Sequence, residues 1–170
     1  MATGLLILRL VVGLTLAAHG AQKLFGWFGG YGLKGTAGFL EQLGFIPGWR
    51  HAVMAGLAET VGGLLLALGL ATPLAAVLIV SVMLVAIGSV HLKNGFFNHM
   101  QGYEYNLILA VVALSIVAIG PGALSLDAAL GIQDWGVIWA VAALAVGVVG
   151  AAVRLAGRRI PVAQPAQKSN

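Results

Sequence analysis

The chain has 170 residues, of which 60% are hydrophobic and only 8% charged, and its mean hydropathy is +1.00. A water-soluble domain carries roughly 25% charged residues, so most of this chain is expected to lie in lipid. The net charge of +4 is no nucleic-acid signature, and the absence of cysteine leaves any redox role to a bound cofactor, a quinone or a partner protein.

The first apolar run, Leu5 to about Lys23, has nearly the 20 residues that a spanning helix needs. Met1 to Gly4 carry no positive side chain and Arg9 interrupts the apolar run, so it reads as an uncleaved membrane helix rather than a secretory signal. Arg9 is expected to snorkel to the interface. Thr15, His19 and Lys23 recur every fourth residue on one face, and Gly13, Ala17 and Ala21 form a small-residue stripe suited to close helix contact.

A glycine-rich stretch from Phe25 to Arg50 follows, with Trp27, Phe28, Tyr31 and Trp49 suited to the headgroup level. Thr36 is expected to cap a short re-entrant or interfacial helix ending near Gly44, with Phe39, Leu40 and Leu43 on its apolar side. The second span runs from about His51 to Leu70. Its stripe of Ala55, Glu59, Gly63 and Ala67 aims Glu59 at a neighbouring helix. Pro73 suits the first turn of the third span, Leu74 to His91, where Ser81, Leu84, Gly88 and His91 share a face.

The polar connection from His91 to Glu104 leads into a fourth span, about Tyr103 to Ile119, ended by Gly120-Pro121-Gly122. Asp127 and Asp134 lie in the next connection. A fifth span, Trp135 to Val153, stops at Arg154, Arg158 and Arg159, and the tail over 158–170 is expected to be disordered. Five spans put the Phe25–Arg50 loop, the His91–Glu104 loop and the C-terminus on one side, called side B. That side holds eight basic residues against the single Arg9 inside a helix, and the positive-inside rule makes it cytoplasmic.

His19, Lys23, His91, Lys93 and Glu104 all fall near side B, and Glu59 lies about 12 Å in along its helix. His19, Glu59 and His91 can therefore meet inside the bundle. The plainer readings are anchoring for Lys23, Lys34, Arg50 and Lys93, solvation for His51 and His99, and bonding of free helix-end carbonyls for His91. Glu59 resists a plain reading, because a charge within a span costs at least ~2.5 kcal/mol and needs a partner or a proton. A His–carboxylate pair in such a pocket can bond a quinone carbonyl and relay its protons, with Trp27, Phe28, Phe96 and Phe97 as walls for a flat ring. A metal site is less well supported, since no HxxxH or ExxH spacing occurs, and no nucleotide fingerprint is present.

Four stretches together resemble the DoxX family of bacterial membrane proteins. They are His19-Gly20-Ala21-Gln22-Lys23-Leu24-Phe25-Gly26, Glu59-Thr60-Val61-Gly62-Gly63, His91-Leu92-Lys93-Asn94-Gly95-Phe96-Phe97 and Gly102-Tyr103-Glu104-Tyr105. The resemblance spans about Leu5 to Asp127. It implies a four-helix membrane core in the bacterial inner membrane, and an association with quinone-linked oxidoreduction or oxidative stress; an N-terminus inside, as the family is often drawn, conflicts with the charge count. The family supplies no residue set, so His19, Lys23, Glu59, His91, Asn94 and Glu104 are the candidate pocket.

The reading is therefore an all-α polytopic transmembrane bundle: a four-helix core over 1–131, with an interfacial loop at 25–50, an added helix over 132–157 and a tail over 158–170. Three functions stay open. They are a redox-associated protein binding a quinone or similar lipophilic molecule, a non-catalytic subunit docking an oxidoreductase or respiratory complex, and a small proton-linked transporter.

Overall fold

The computed structural model describes residues 2–132 and 134–159, so the expected disordered tail lies, from residue 160 onward, outside the described residues. All regular structure among the described residues is helical: α1 (Ala2–Phe25), α2 (Gly32–Gln42), α3 (Gly48–Leu68), α4 (Thr72–Ala86), α5 (Glu104–Ile119), α6 (Leu126–Ala129) and α7 (Val137–Ala156). The helix of α4 continues through a wide π-turn at Ile87–His91 and a 3₁₀ turn at Leu92–Asn94. Four helical stretches are long and apolar enough to cross a membrane: α1, α3, Thr72–Asn94 and α7. The fourth predicted span is the exception. Its helix α5 has 16 residues, about 24 Å at ~1.5 Å per residue, against a ~30 Å hydrocarbon core. The chain is a polytopic helical membrane protein.

The seam between α1 and α3 is the closest in the bundle, and small residues make it so. A Cβ added at Gly13 would lie 2.6 Å from the Ala67 nitrogen, and one added at Gly63 would lie 2.6 Å from the Ala17 nitrogen. These are the two stripes seen in the sequence, now facing each other. In lipid no hydrophobic force joins apolar helices, so such close backbone approach carries the association. Gly63→Leu is expected to force the helices apart and destabilise the fold by about 3 kcal/mol, the upper end for overpacking. A detergent unfolding curve matching wild type would contradict this.

The hydrophobic core centres on α4, α5 and α7 and is joined by Leu16 of α1 and Leu66 of α3. Ile79, Val80, Ala113, Ile116, Val117 and Ala143 are almost fully buried there. Gly147 of α7 admits the Val80 side chain and Gly150 sits on Ser81, while Leu155 packs over Gly88. The Ser81–Gly88 face of α4 is thus spent on α7. The last helix shares the core with α4 and α5.

Two polar fasteners hold the end of the bundle opposite side B, called side A. Arg9 is fully buried rather than at the lipid interface. Its guanidinium donates to the Leu124 carbonyl and packs against Gly69, whose left-handed backbone (φ 62) admits no side chain there. Snorkelling is overridden because the chain at 120–127 folds over the helix end and supplies the Leu124 carbonyl as an internal acceptor. Asp127, also fully buried, accepts from Ala71 N at 2.7 Å, Thr72 N at 3.0 Å, Thr72 Oγ1 at 2.6 Å and Trp135 Nε1 at 2.8 Å. It caps α4 from a distant connection and pins the entry to α7. Pro73 sits in the first turn of α4 as expected.

Thr36 does not cap α2. That helix begins four residues earlier, and the Thr36 hydroxyl is buried against the Lys23 carbonyl at 3.4 Å. The helix does stop where expected: Gly44 takes φ 88, and the Phe45 amide returns to the Leu40 carbonyl at 3.0 Å. On side B the Arg159 amide reaches the Gly44 carbonyl at 2.8 Å, which ties the end of α7 to this turn.

Candidate functional site at the side B end of the bundle

The polar convergence expected on side B forms around two pairs. Lys23, in the last turn of α1, makes an ion pair with Glu59 of α3. Glu59 is almost buried while the Lys23 side chain keeps 32% of its surface. Lys23 is therefore more than a headgroup anchor: its stem lies along the seam and its ammonium neutralises the one carboxylate inside α3. The Gly20 and Gly56 backbones make room by letting Thr60 and Leu24 close in. The Thr60 hydroxyl is buried there with no hydrogen-bond partner among the described residues.

The second pair is His19 and Tyr105. The Tyr105 hydroxyl lies 3.5 Å from His19 Nε2, and the rings meet edge-on with centroids 6.1 Å apart. His19 Nδ1 lies 3.1 Å from Gln22 Oε1, and Gln22 Nε2 donates to the Phe28 carbonyl at 3.1 Å. A continuous hydrogen-bonded file thus runs from Tyr105 through His19 and Gln22 to the Phe28 backbone. His19 and Lys23 lie one helical turn apart on α1, so the two pairs share one face of that helix. The sequence points to Glu104 at this position, and the structure brings its neighbour Tyr105 to His19 instead. Helical phase separates these neighbours by about 100°, and only the rotation of α5 decides which faces α1.

Beside the ion pair lies a cleft of about 650 Å³ between the end of α1, the Trp27–Gly29 turn and α2. Gln22, Lys23, Lys34, Thr36 and Gln42 supply its polar groups, and Tyr31 and Phe39 its aromatic surface.

The sequence model of the DoxX family matches residues 4–92. The chain belongs to the DoxX family. A curated relative from Bacillus subtilis (strain 168), named "Putative oxidoreductase CatD", is 32% identical over 124 residues, covering 73% of this chain and 84% of the relative. No solved structure matches the chain.

The six candidate pocket residues divide into two groups. His19, Lys23 and Glu59 meet in the side B cluster. His91, Asn94 and Glu104 instead close the connection on itself. His91 Nδ1 lies 2.8 Å from the Gln101 carbonyl, Asn94 Nδ2 donates to the same oxygen at 3.2 Å, and Glu104 Oε2 accepts from the Asn98 amide at 2.9 Å. The meeting of His19, Glu59 and His91 does not form, and among the described residues no three His, Asp or Glu side chains come together. The π-turn at Ile87–His91 shifts the phase on which the expectation rested.

The same residues explain the strained backbone. Phe28, Ala71 and Gln101 are the non-glycine residues with left-handed φ, at 53°, 45° and 61°. A polar side chain grips each: Gln22 on the Phe28 carbonyl, Asp127 on the Ala71 amide, and His91 with Asn94 on the Gln101 carbonyl. Such conformations cost ~1–3 kcal/mol and persist where the surroundings fix them. Trp27, Phe28, Phe96 and Phe97 are exposed at 59%, 70%, 42% and 59%. They belong to the membrane edge, and the aromatic surface of the cleft comes from Tyr31 and Phe39.

Proposed function

We propose that this DoxX protein binds the head group of a quinone, or of a similar lipophilic carbonyl compound, at the Lys23–Glu59 and His19–Tyr105 pairs, in a redox-associated role. The observation that carries the reading is the pairing itself. An ion pair and a histidine–tyrosine pair lie one helical turn apart on α1 within a membrane bundle, and Lys23 lines the adjoining cleft. The Lys23 ammonium has three donors and spends one on Glu59, leaving others for a carbonyl oxygen. Tyr105 and His19 share a hydrogen bond along which a proton can pass, and Gln22 orients the His19 ring.

Reduction of a quinone to the quinol takes two electrons and two protons. The proposal assigns the protons to these side chains and the electrons to an oxidoreductase partner, since the chain has no cysteine couple. The oxidoreductase in the name of the Bacillus relative is in keeping with that setting. The same proposal places side B in the cytoplasm of a bacterial inner membrane. Lys23, Lys34, Arg50, Lys93, Arg154, Arg158 and Arg159 gather there among the described residues.

The test is titration of the purified chain with a short-chain ubiquinone, followed by tryptophan quenching. The double variant Lys23→Met with Glu59→Gln removes the donor without burying a lone charge, and is expected to weaken binding at least tenfold. Tyr105→Phe removes one hydrogen bond of about 1 kcal/mol and is expected to weaken it several-fold. Equal affinity in wild type and both variants would overturn the assignment.

A further inference from the structure

On the opposite flank from the cleft, a groove of about 540 Å³ runs between α3 and the α4–α7 pair. Its walls are apolar, with Leu57 and Val61 on one side and Leu78 and Val82 on the other. Its side B mouth is different: His51 and Arg154 line it. The His51 ring stacks on Phe45 with centroids 5.2 Å apart, and the Arg158 guanidinium lies 5.7 Å from the Phe45 ring centre. Arg154 makes no ion pair among the described residues. The Arg154 and Arg158 guanidinium groups therefore stand at the mouth of an oily trough.

The length of the trough is informative. From His51 to Val61 it follows α3 for ten residues, about 15 Å at ~1.5 Å per residue. That is half of a ~30 Å hydrocarbon core, the reach of one acyl chain in one leaflet. A channel would continue to side A, and a water-soluble ligand would need polar walls. We propose that this groove holds one acyl chain of an anionic phospholipid of the side B leaflet, with the headgroup phosphate at Arg154 and the rim of His51 and Arg158. The groove shares no residue with the Lys23–Glu59 cluster, so the two sites stand or fall separately.

The experiment is native mass spectrometry of the full chain released from a neutral detergent supplied with equimolar phosphatidylglycerol and phosphatidylcholine. A first bound lipid is expected, with phosphatidylglycerol favoured about fivefold, the effect of one basic side chain near an anionic surface. Arg154→Gln is expected to bring the two lipids to near parity, and Arg154→Lys to keep most of the preference. Val82→Trp fills the trough and is expected to remove the first bound lipid of either kind; Leu57→Trp does so from the other wall and serves if Val82→Trp does not fold. Equal binding of the two lipids by wild type, an undiminished preference in Arg154→Gln, or a first lipid retained in the folded tryptophan variant would each overturn the proposal. So would a dimer of the wild-type chain that the tryptophan variant abolishes, which would make the groove a seat for a second copy.

Discussion

Lys23→Met is expected to destabilise the fold by about 3 kcal/mol, because it leaves the Glu59 carboxylate in the α1–α3 seam without a counter-charge. Removing one partner of a buried pair typically costs 3–5 kcal/mol. The low end applies here, since Lys23 keeps 32% of its side-chain surface and water screens that end of the pair. Glu59→Gln should cost less, about 1 kcal/mol, because the freed ammonium can swing toward the headgroups. Losing both charges together is expected to be nearly neutral, as replacing a whole buried pair often is. A double-mutant cycle on unfolding in mixed detergent micelles measures the coupling. Lys34→Met, at an exposed position of α2, is the control. A Lys23→Met protein no less stable than that control would show that Glu59 does not depend on Lys23.

Asp127→Ala is expected to be the most damaging single change on side A, at about 4 kcal/mol. Four donors lose their acceptor at once: Ala71 N, Thr72 N, Thr72 Oγ1 and Trp135 Nε1. Each orphaned buried group costs ~1–3 kcal/mol, and the losses are not additive. The pH dependence has a definite sign. Burial alone would push the Asp127 carboxyl up, but the hydrogen bonds from Thr72, Trp135 and Ala71 outweigh it and hold the group below the ordinary carboxylate range. A carboxyl whose folded value lies below its unfolded value stabilises the fold fully above the unfolded value, ~3.9. That contribution is lost as pH falls through the folded value. Melting temperature should therefore fall on acidification below about pH 4 in the wild type, and much less steeply in Asp127→Asn. Parallel acid limbs in the two proteins would assign the acid sensitivity to another carboxylate.

Much of the fold was legible because its signals are local. Apolar runs of spanning length, Pro73 at a helix start and Gly44 at a helix end each need only their neighbours to be read. The Gly13–Ala17–Ala21 and Gly63–Ala67 stripes were readable as close-packing faces, and they do face each other. The limits of α5 were legible too: it begins one residue after the expected Tyr103 and ends at the expected Ile119. Tyr103 is used by the loop, and its amide returns to the Gly95 carbonyl at 3.2 Å.

For the candidate site, Glu59 stood out because a charge in an apolar helix must be compensated somewhere. His91, Asn94 and Glu104 drew the same attention for a different reason. Polar residues crowded into a loop look the same whether they face a ligand or grip their own backbone. Only the observed hydrogen bonds to Gln101 and Asn98 separate the two. Arg9 misled in the opposite direction, since a basic residue one or two turns inside a span has the reach to find a headgroup.

By itself, then, the sequence determined that this is a membrane protein of helices, which face of α1 and which face of α3 suit close helix contact, and that Glu59 needs a partner. These follow from hydropathy, period and the penalty for an unpaired charge, all properties of a single segment. The tertiary structure decided who the partners are. Lys23 meets Glu59 across 36 residues, Asp127 caps Thr72 across 55, Tyr105 meets His19 across 86 and Arg9 reaches Leu124 across 115. Each pairing depends on how far one helix is rotated about its axis relative to another. That rotation is set by the packing of all the helices together and leaves no mark in any one of them.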